Sequence, residues 1–233
     1  FCIYIMKNAL ILCSGGLDSV VTAFYVKNKL KYNNLIILFF NYGQKQLAQE
    51  IECAKKCAKN LSAKFKGINL DWLKEISNDL FKNIKLKKNK NLRNTKKESN
   101  KWYFPYRNAI FLVSAMAFQE TLAIKEKKNY DIFVGFKCEG KESYPDTTKE
   151  FVNYMNSLAK ISEISKFKII APLINKDKDE IVLLGKKLDV NFSNTYSCYT
   201  GNKFHCGYCL ACKLRQAGFY WANINDPTEY KVK

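Results

Sequence analysis

Residues 14–19 read Ser-Gly-Gly-Leu-Asp-Ser and follow an apolar run, Ala9 to Cys13. Glycines permit a tight turn and a close approach of backbone to a ligand. Where a helix starts directly after such a turn, its free N–H groups and partial positive charge favour an anion. Ser14 and Ser19 add hydroxyl donors, and Gly15, Gly16 and Leu17 bring backbone N–H groups to the same turn. Asp18 repels phosphate unless a cation stands between them, so it is a candidate Mg²⁺ ligand. The chemistry this suggests is the holding of a phosphate chain. The loop lacks the Gly-Lys-Ser/Thr ending of a Walker A motif and the G-x-G-x-x-G of a dinucleotide fold. The plainer alternative is a glycine-rich turn with Asp18 as an ordinary N-cap.

A second group lies near the other end. Cys198, Cys206, Cys209 and Cys212 have the spacing C-x₇-C-x₂-C-x₂-C. Four thiolates can close a tetrahedral Zn²⁺ site, structural rather than catalytic because no position stays open. An iron–sulfur cluster is the rival for the same four ligands. His205, the only histidine, sits inside the segment, but four cysteines already suffice, and it is not assigned as a base. Cys2, Cys13, Cys53, Cys57 and Cys138 are scattered along the chain and read as small core or surface residues. Clustered cysteines without a secretion signal point to metal in a reducing, cytoplasmic setting.

These groups need a scaffold. Ala9–Cys13 reads as a strand and Asp18–Lys29 as a helix. The start, FCIYIMKNALILC, is interrupted by Lys7 and Asn8, so it reads as leading into a buried strand rather than as a signal peptide. Met6 reads as the native start, with Phe1 to Ile5 an upstream extension. Leu35–Phe40 is uninterruptedly apolar, as in a parallel strand covered on both faces. A helix over 45–60, a strand over 65–70, the basic stretch and a helix over 108–125 follow. Asp131–Phe136 reads as a strand, 147–161 and 177–188 as helices, with a short strand near 168–170. A last helix runs near 209–222. The β–α alternation predicts an α/β fold with a mostly parallel sheet flanked by helices. The expected division is a nucleotide domain over 1–190 and a cysteine-rich segment over 191–233 packed on it. No apolar run approaches the roughly 18–20 residues of a membrane span.

The formal net charge is +18 over 233 residues. That invites nucleic acid as a partner. The cations are nearly all Lys, the arginines being Arg93, Arg107 and Arg215. Arg is the residue suited to planar, bidentate phosphate contacts. Nine of the cations lie in Lys82–Lys101 against one anion, Glu98, which reads as a solvated loop. The expectation is therefore no membrane and no nucleic-acid partner.

The Ser14–Ser19 motif resembles the pyrophosphate loop of the N-type ATP pyrophosphatases, a superfamily that cleaves ATP between its α and β phosphates to adenylate a substrate oxygen. With the cysteine segment it resembles more narrowly the 7-cyano-7-deazaguanine synthases, the QueC family. The resemblance runs from Ala9 to Tyr230 through Phe40–Gln44 (FNYGQ), Pro105–Asn108 (PYRN), Tyr144–Asp146 (YPD), the cysteine segment and Asp226–Tyr230 (DPTEY). It implies an adenine-nucleotide α-hydrolase-like (HUP) sheet with a C-terminal zinc knuckle. It also implies a cytoplasmic homodimer using ATP, Mg²⁺ and Zn²⁺. The implied substrates are 7-carboxy-7-deazaguanine and ammonia, the product a nitrile used in queuosine or archaeosine formation.

Roles follow from the resemblance. Ser14, Asp18, Ser19 and Arg107 would be catalytic. The loop with Asn41, Tyr42 and Lys176 would hold the nucleotide. Arg107, Asn108, Tyr144 and Asp146 would meet the deazapurine, Tyr144 by stacking. On the residues alone, Asn108 can cap its helix, and Tyr144–Asp146 is equally an ordinary turn with Asp146 as the cap. The chain departs from the family pattern at Tyr106, where Gly or Ala is usual, at Glu142 and Ser143, and at Gln46, where His is common. Two alternatives stay open: a paralogue coupling the activated deazaguanine to another amine acceptor, and a tRNA-modifying enzyme. A zinc-knuckle RNA-binding module would leave the phosphate loop unexplained.

Overall fold

The computed structural model describes residues 7–81, 99–100, 102–137 and 144–231. Cys2, Met6 with Phe1–Ile5, the cations of the Lys82–Lys101 stretch, Cys138, Glu142 and Ser143 fall outside the described residues.

Five strands form one sheet: β1 (Asn8–Leu12), β2 (Asn34–Asn41), β3 (Lys64–Asn69), β4 (Asp131–Val134) and β5 (Ile169–Ile170). Their order is β3-β2-β1-β4-β5, and every pairing is parallel. The helices are α1 (Leu17–Asn28), α2 (Leu47–Asn60), α3 (Asp71–Phe81), α4 (Arg107–Glu126), α5 (Lys149–Ser162), α6 (Lys178–Lys187) and α7 (Leu210–Trp221).

The apolar strands explain the layering. Side chains alternate faces along a strand. Ala9, Ile11, Leu35, Ile37 and Phe39 pack with Val20 and Val21 of α1, Ala54 and Ala58 of α2, and Ile181 of α6. Leu10, Ile36, Leu38 and Phe40 point the other way, onto Leu112 and Ala115 of α4 and Val152 and Met155 of α5. Both faces of β1, β2 and β4 are dry, so these strands carry no polar alternation, whereas the edge strand β3 keeps Lys64 and Lys66 exposed. Phe219 and Ala222, from the end of the chain, join the first of these cores.

The strand order reverses between β1 and β4, the switch point where open α/β sheets bind ligands at their carboxyl ends. At that point Gly135 follows β4. A Cβ there would lie 2.9 Å from the Cα and N of Ser19, so glycine is what lets the first turn of α1 pack against the end of β4.

Three elements differ from the expectation. Helix α3, Asp71–Phe81, fills the stretch between the expected strand and the basic stretch, where no element is expected. It buries Leu73 and leaves Trp72 53% and Ile76 43% exposed. The helix expected over 147–161 is present but starts two residues later, after Thr148, because Pro145–Thr147 forms a separate 3₁₀ turn. Strand β4 stops at Val134, short of Phe136.

Candidate functional site

The Ser14–Ser19 loop is held from behind. Gly15 has φ +78°, and a Cβ there would meet the Glu50 carbonyl oxygen at 2.5 Å and Cys53 Cβ at 2.7 Å. The Gly15 carbonyl accepts the Tyr196 N–H at 2.9 Å. Gly16, not Asp18, is the N-cap of α1. Ser14 Oγ accepts the Gly16 N–H at 3.3 Å, Ser19 Oγ donates to the Gly16 carbonyl at 3.0 Å, and the two hydroxyls stand 3.5 Å apart. Gly15→Ala should therefore cost about 2 kcal/mol or more through positive φ and overpacking. Thermal melting checks this, with Gly67→Ala as the control. At Gly67 the nearest atom to a new Cβ is 3.8 Å away.

Three of the cysteines that look scattered in sequence sit behind this loop. Cys13, Cys53 and Cys57 are buried, and Cys13 shares a hydrogen bond with Cys57. Burial pushes the Cys53 thiol up to about 11, which leaves it unreactive packing.

Asp18 meets a residue that the sequence reading missed. Lys178 Nζ lies 2.8 and 2.7 Å from its two carboxylate oxygens. Lys178 opens α6, whose start is fixed by a capping box between Asp177 and Glu180. Lys176, the expected nucleotide contact, instead lies 3.8 Å from Glu180 and does not line the cleft. The signal that would have found Lys178 is the Asp-x-x-Glu cap, which puts residue 178, not 176, in the first helical turn.

From this loop a cleft of about 370 Å³ extends to Arg107 and Asn108 at the start of α4. Tyr106 precedes them at φ +56°, a conformation that favours glycine, and its side chain is 74% exposed. It does not line the cleft, so its bulk leaves the cleft open. Arg107 Nη1 donates to the Tyr42 hydroxyl at 3.5 Å, and the guanidinium lies 5.9 Å from the ring centres of Tyr42 and Phe111. Its Nε is buried without a protein partner. Burial alone would pull the Arg107 pKa down; Tyr42, Asp146 and Glu50 outweigh it and hold it above the usual value. A half-buried guanidinium with a buried, spare N–H is suited to an anionic ligand.

Asp146 stands behind that turn. Its Oδ2 accepts the Asn108 N–H at 3.4 Å, and Asn108 Nδ2 donates to its carbonyl at 3.3 Å. Asp146 therefore supplies an anion to the α4 N-terminus. It does not cap α5, which Thr148 does by accepting the Phe151 N–H at 3.1 Å. Asn108 is inside α4 rather than its cap. Burial pushes the Asp146 carboxyl up. Tyr144 donates its hydroxyl to the Ser99 carbonyl at 2.7 Å and stacks on Tyr103, ring centres 5.7 Å apart. Asn41 accepts the Gly43 N–H at 3.2 Å, which holds the turn carrying Tyr42. Gly15, Asn41, Tyr144 and Asp146 thus flank the cleft without lining it, whereas Ser14, Gly16, Leu17, Asp18, Ser19, Tyr42, Arg107 and Asn108 line it.

The four cysteines of the C-terminal segment converge. Their sulfurs all lie within 4.8 Å of one another, and all four residues are buried. The Cys206–Cys212 and Cys198–Cys209 separations are 3.9 and 4.0 Å. A tetrahedral ion at about 2.3 Å from each sulfur requires separations near 3.8 Å. Several irons would hold the sulfurs further apart, so the geometry fits one ion, as zinc would be. The N–H groups of Thr200, Cys206 and Cys209 donate to the sulfurs, which suits thiolates. His205 Nε2 accepts the Ser197 N–H at 3.0 Å rather than joining the ligands. Burial, then Arg215, pulls its pKa down to about 4, so it stays a neutral acceptor. Tyr196, Ser197, Tyr199, Ala211 and Leu214 of this segment form one wall of the cleft.

Comparison with known proteins matches this arrangement across its length. The profile described as "Queuosine biosynthesis protein QueC" matches residues 8–223. The chain belongs to the QueC family. Among QueC-family relatives, the 7-cyano-7-deazaguanine synthase of Methanosphaera stadtmanae is 34% identical over 230 residues, covering 96% of this chain and 98% of the relative. That of Methanococcus maripaludis strain S2 is 35% identical over 239 residues, covering 97% and 100%. At the level of fold, the structure of a 4-thiouridine synthetase–RNA complex with bound ATP matches with a TM-score of 0.50 and 17% identity, over 92% of this chain and 53% of that one.

The QueC-family tail is tied to the cleft wall by Arg215, which the sequence reading counted but did not place. Arg215 is 1% exposed. Its Nε lies 3.2 and 3.1 Å from the two Asp226 oxygens, Nη1 donates to Thr195 Oγ1 at 2.7 Å, and Nη2 to the Phe192 carbonyl at 3.1 Å. Asp226→Asn should cost about 3–5 kcal/mol, because it leaves a buried guanidinium without its counter-charge. Burial pushes the Asp226 carboxyl up, but Arg215 and the hydrogen bonds outweigh it and hold its pKa below the usual value. A depressed carboxylate stabilises above its unfolded pKa of about 3.9 and loses that contribution as pH falls through the folded value. Melting curves from neutral to strongly acidic pH should therefore converge for the two chains at low pH.

Proposed function

We propose that this chain is a 7-cyano-7-deazaguanine synthase. It converts 7-carboxy-7-deazaguanine and ammonia to the nitrile at the cost of ATP, through adenylated intermediates. The observation that supports this most is one cleft with the glycine loop at one end and, at the other, a half-buried Arg107 whose buried Nε has no protein partner. A nucleotide and an anionic base fit it end to end.

In this reading Ser14, Ser19 and the N–H groups at the start of α1 bind the pyrophosphate portion of ATP. Asp18 and Lys178 form the charged pair at that end. The Asp18 carboxylate would hold Mg²⁺, which supplies neutralising charge to the phosphate oxygens when bound. Arg107 orients the substrate carboxylate, so that one of its oxygens attacks the α-phosphorus and pyrophosphate leaves. Ammonia then displaces AMP to give the amide. Activation of the amide oxygen in the same way, followed by loss of AMP, gives the nitrile. Tyr42 lies beside the nucleotide, and Asn108, Tyr144 and Asp146 shape the far end. The substrate is a free base, so the +18 charge needs no RNA. The reading includes a cytoplasmic homodimer, which sedimentation of the purified chain tests.

The adenylation half is tested by exchange of labelled pyrophosphate into ATP. Exchange should require 7-carboxy-7-deazaguanine and Mg²⁺ and proceed without ammonium. Exchange that is independent of the deazaguanine acid, or absent, would contradict the assignment.

A further inference from the structure

Ammonia brings three protons, and the nitrile nitrogen keeps none. The reaction therefore breaks three N–H bonds inside the cleft, and the roles assigned so far include no group to receive those protons. Among the described residues two carboxylates line the cleft, Asp18 and Glu50, and they are held in opposite ways. Asp18 is gripped by Lys178 through both oxygens. Glu50, in the first turn of α2, has no such partner among the described residues. Its Oε2 accepts the Gln44 amide at 3.1 Å, and Gln46 also donates to it. Gln44 is fixed in turn, donating to the Phe40 carbonyl at 3.1 Å and accepting the Tyr42 N–H at 3.0 Å. The second half of the Phe40–Gln44 motif thus aims a carboxylate.

The other titratable groups nearby are poor acceptors. The Tyr42 and Tyr196 phenols are pushed up by burial and stay protonated. Cys13 is occupied by hydrogen bonds with Cys57 and Ser19. Arg107 faces Glu50 from α4, and Cys53 lies one turn along α2. Histidine is absent from the lining.

We propose that Glu50 is the proton acceptor for the nitrogen steps of the reaction. This rests on the synthase reading above. In the first step the ammonia lone pair forms the C–N bond, the C–O bond to AMP breaks with its electron pair going to AMP, and one N–H proton passes to the Glu50 carboxylate. In the second, C≡N forms as the C–O bond of the adenylated amide breaks, and the two remaining N–H protons pass to Glu50 one at a time. Each is released to solvent before the next. No electrons enter or leave. Burial pushes the Glu50 carboxyl up to about 7, against the Gln44 and Gln46 hydrogen bonds and Arg107, so the group can both take and shed a proton near neutral pH.

The test compares the unmutated full-length chain with Glu50→Gln in two assays. These are pyrophosphate exchange dependent on the deazaguanine acid, and nitrile formation from pH 6 to 9 expressed per free ammonia. Glu50→Gln is expected to slow nitrile formation by about 10²–10⁴-fold, to keep exchange within about threefold, and to flatten the limb that rises near neutral pH. Equal losses in both assays would make Glu50 a structural support of the loop and overturn the proposal, as would nitrile formation within threefold. If Glu50→Gln does not fold, Glu50→Asp decides: retained nitrile formation with a displaced limb supports the role, and loss of both activities overturns it. Absence of exchange in the unmutated chain would instead overturn the synthase reading, and this role with it.

Discussion

Asp18→Asn abolishes AMP release, lowering turnover by at least about a hundredfold, the scale seen when a group that stabilises transition-state charge is removed. The sign of the accompanying binding change is informative. Asp18 is an anion placed where phosphates bind, so removing its charge alone should strengthen ATP binding. If its task is to hold a cation against those phosphates, turnover collapses while ATP still binds, and the Mg²⁺ concentration needed for half-activity rises. Lys178, freed from its carboxylate contacts at 2.7 and 2.8 Å, then pairs with phosphate and reinforces that split. Steady-state AMP formation, with ATP binding measured separately, checks it. AMP formation within a few-fold of the unmutated chain would make Asp18 a helix-start residue and no more.

If the four-cysteine site holds zinc, as its geometry fits, Cys212→Ser is expected to abolish metal binding there and the proposed activity with it. Cys212 is fully buried at the start of α7, 3.9 Å from Cys206. Structural zinc contributes about 10–16 kcal/mol of apparent free energy in small zinc peptides. Losing one of four thiolates therefore removes a large part of what orders the segment. The consequence reaches the cleft by a short path: Tyr196 donates its N–H to the Gly15 carbonyl at 2.9 Å, and Tyr199, Ala211 and Leu214 form the wall. The expected results are metal content falling from one zinc per chain to near none, a melting temperature lower by many degrees, and loss of pyrophosphate exchange. Full exchange in a zinc-free variant would show the segment to be an independent appendage.

Much of this arrangement is legible in the sequence because it rests on local rules. Apolar runs such as Leu35–Phe40 mark buried parallel strands, and their alternation with helical periods fixes the class. The Ser14–Ser19 loop announces itself because a glycine pair between a strand and a helix has few other uses. The cysteines announce themselves by spacing. What stays hidden depends on residues distant in sequence. Lys178 reaches Asp18 across 160 positions; the Asp177–Glu180 cap marks the helix turn that carries it, but nothing local marks its partner. Asp146 reads as the cap of the helix that follows it, yet it serves the helix that precedes it, because the 3₁₀ turn at Pro145–Thr147 swings it towards Asn108. Glu50 looks like a surface charge on an amphipathic helix. It meets the cleft because Gly15 packs against its backbone.

The central claim is that one cleft activates first a carboxylate oxygen and then an amide oxygen as adenylates. The most direct measurement gives the chain 7-carboxy-7-deazaguanine labelled with ¹⁸O in both carboxylate oxygens, together with ATP, Mg²⁺ and ammonium, and weighs the products. The account predicts the nitrile, with two AMP formed per nitrile and one ¹⁸O in each AMP. Label released into water, or AMP that carries none, would contradict it.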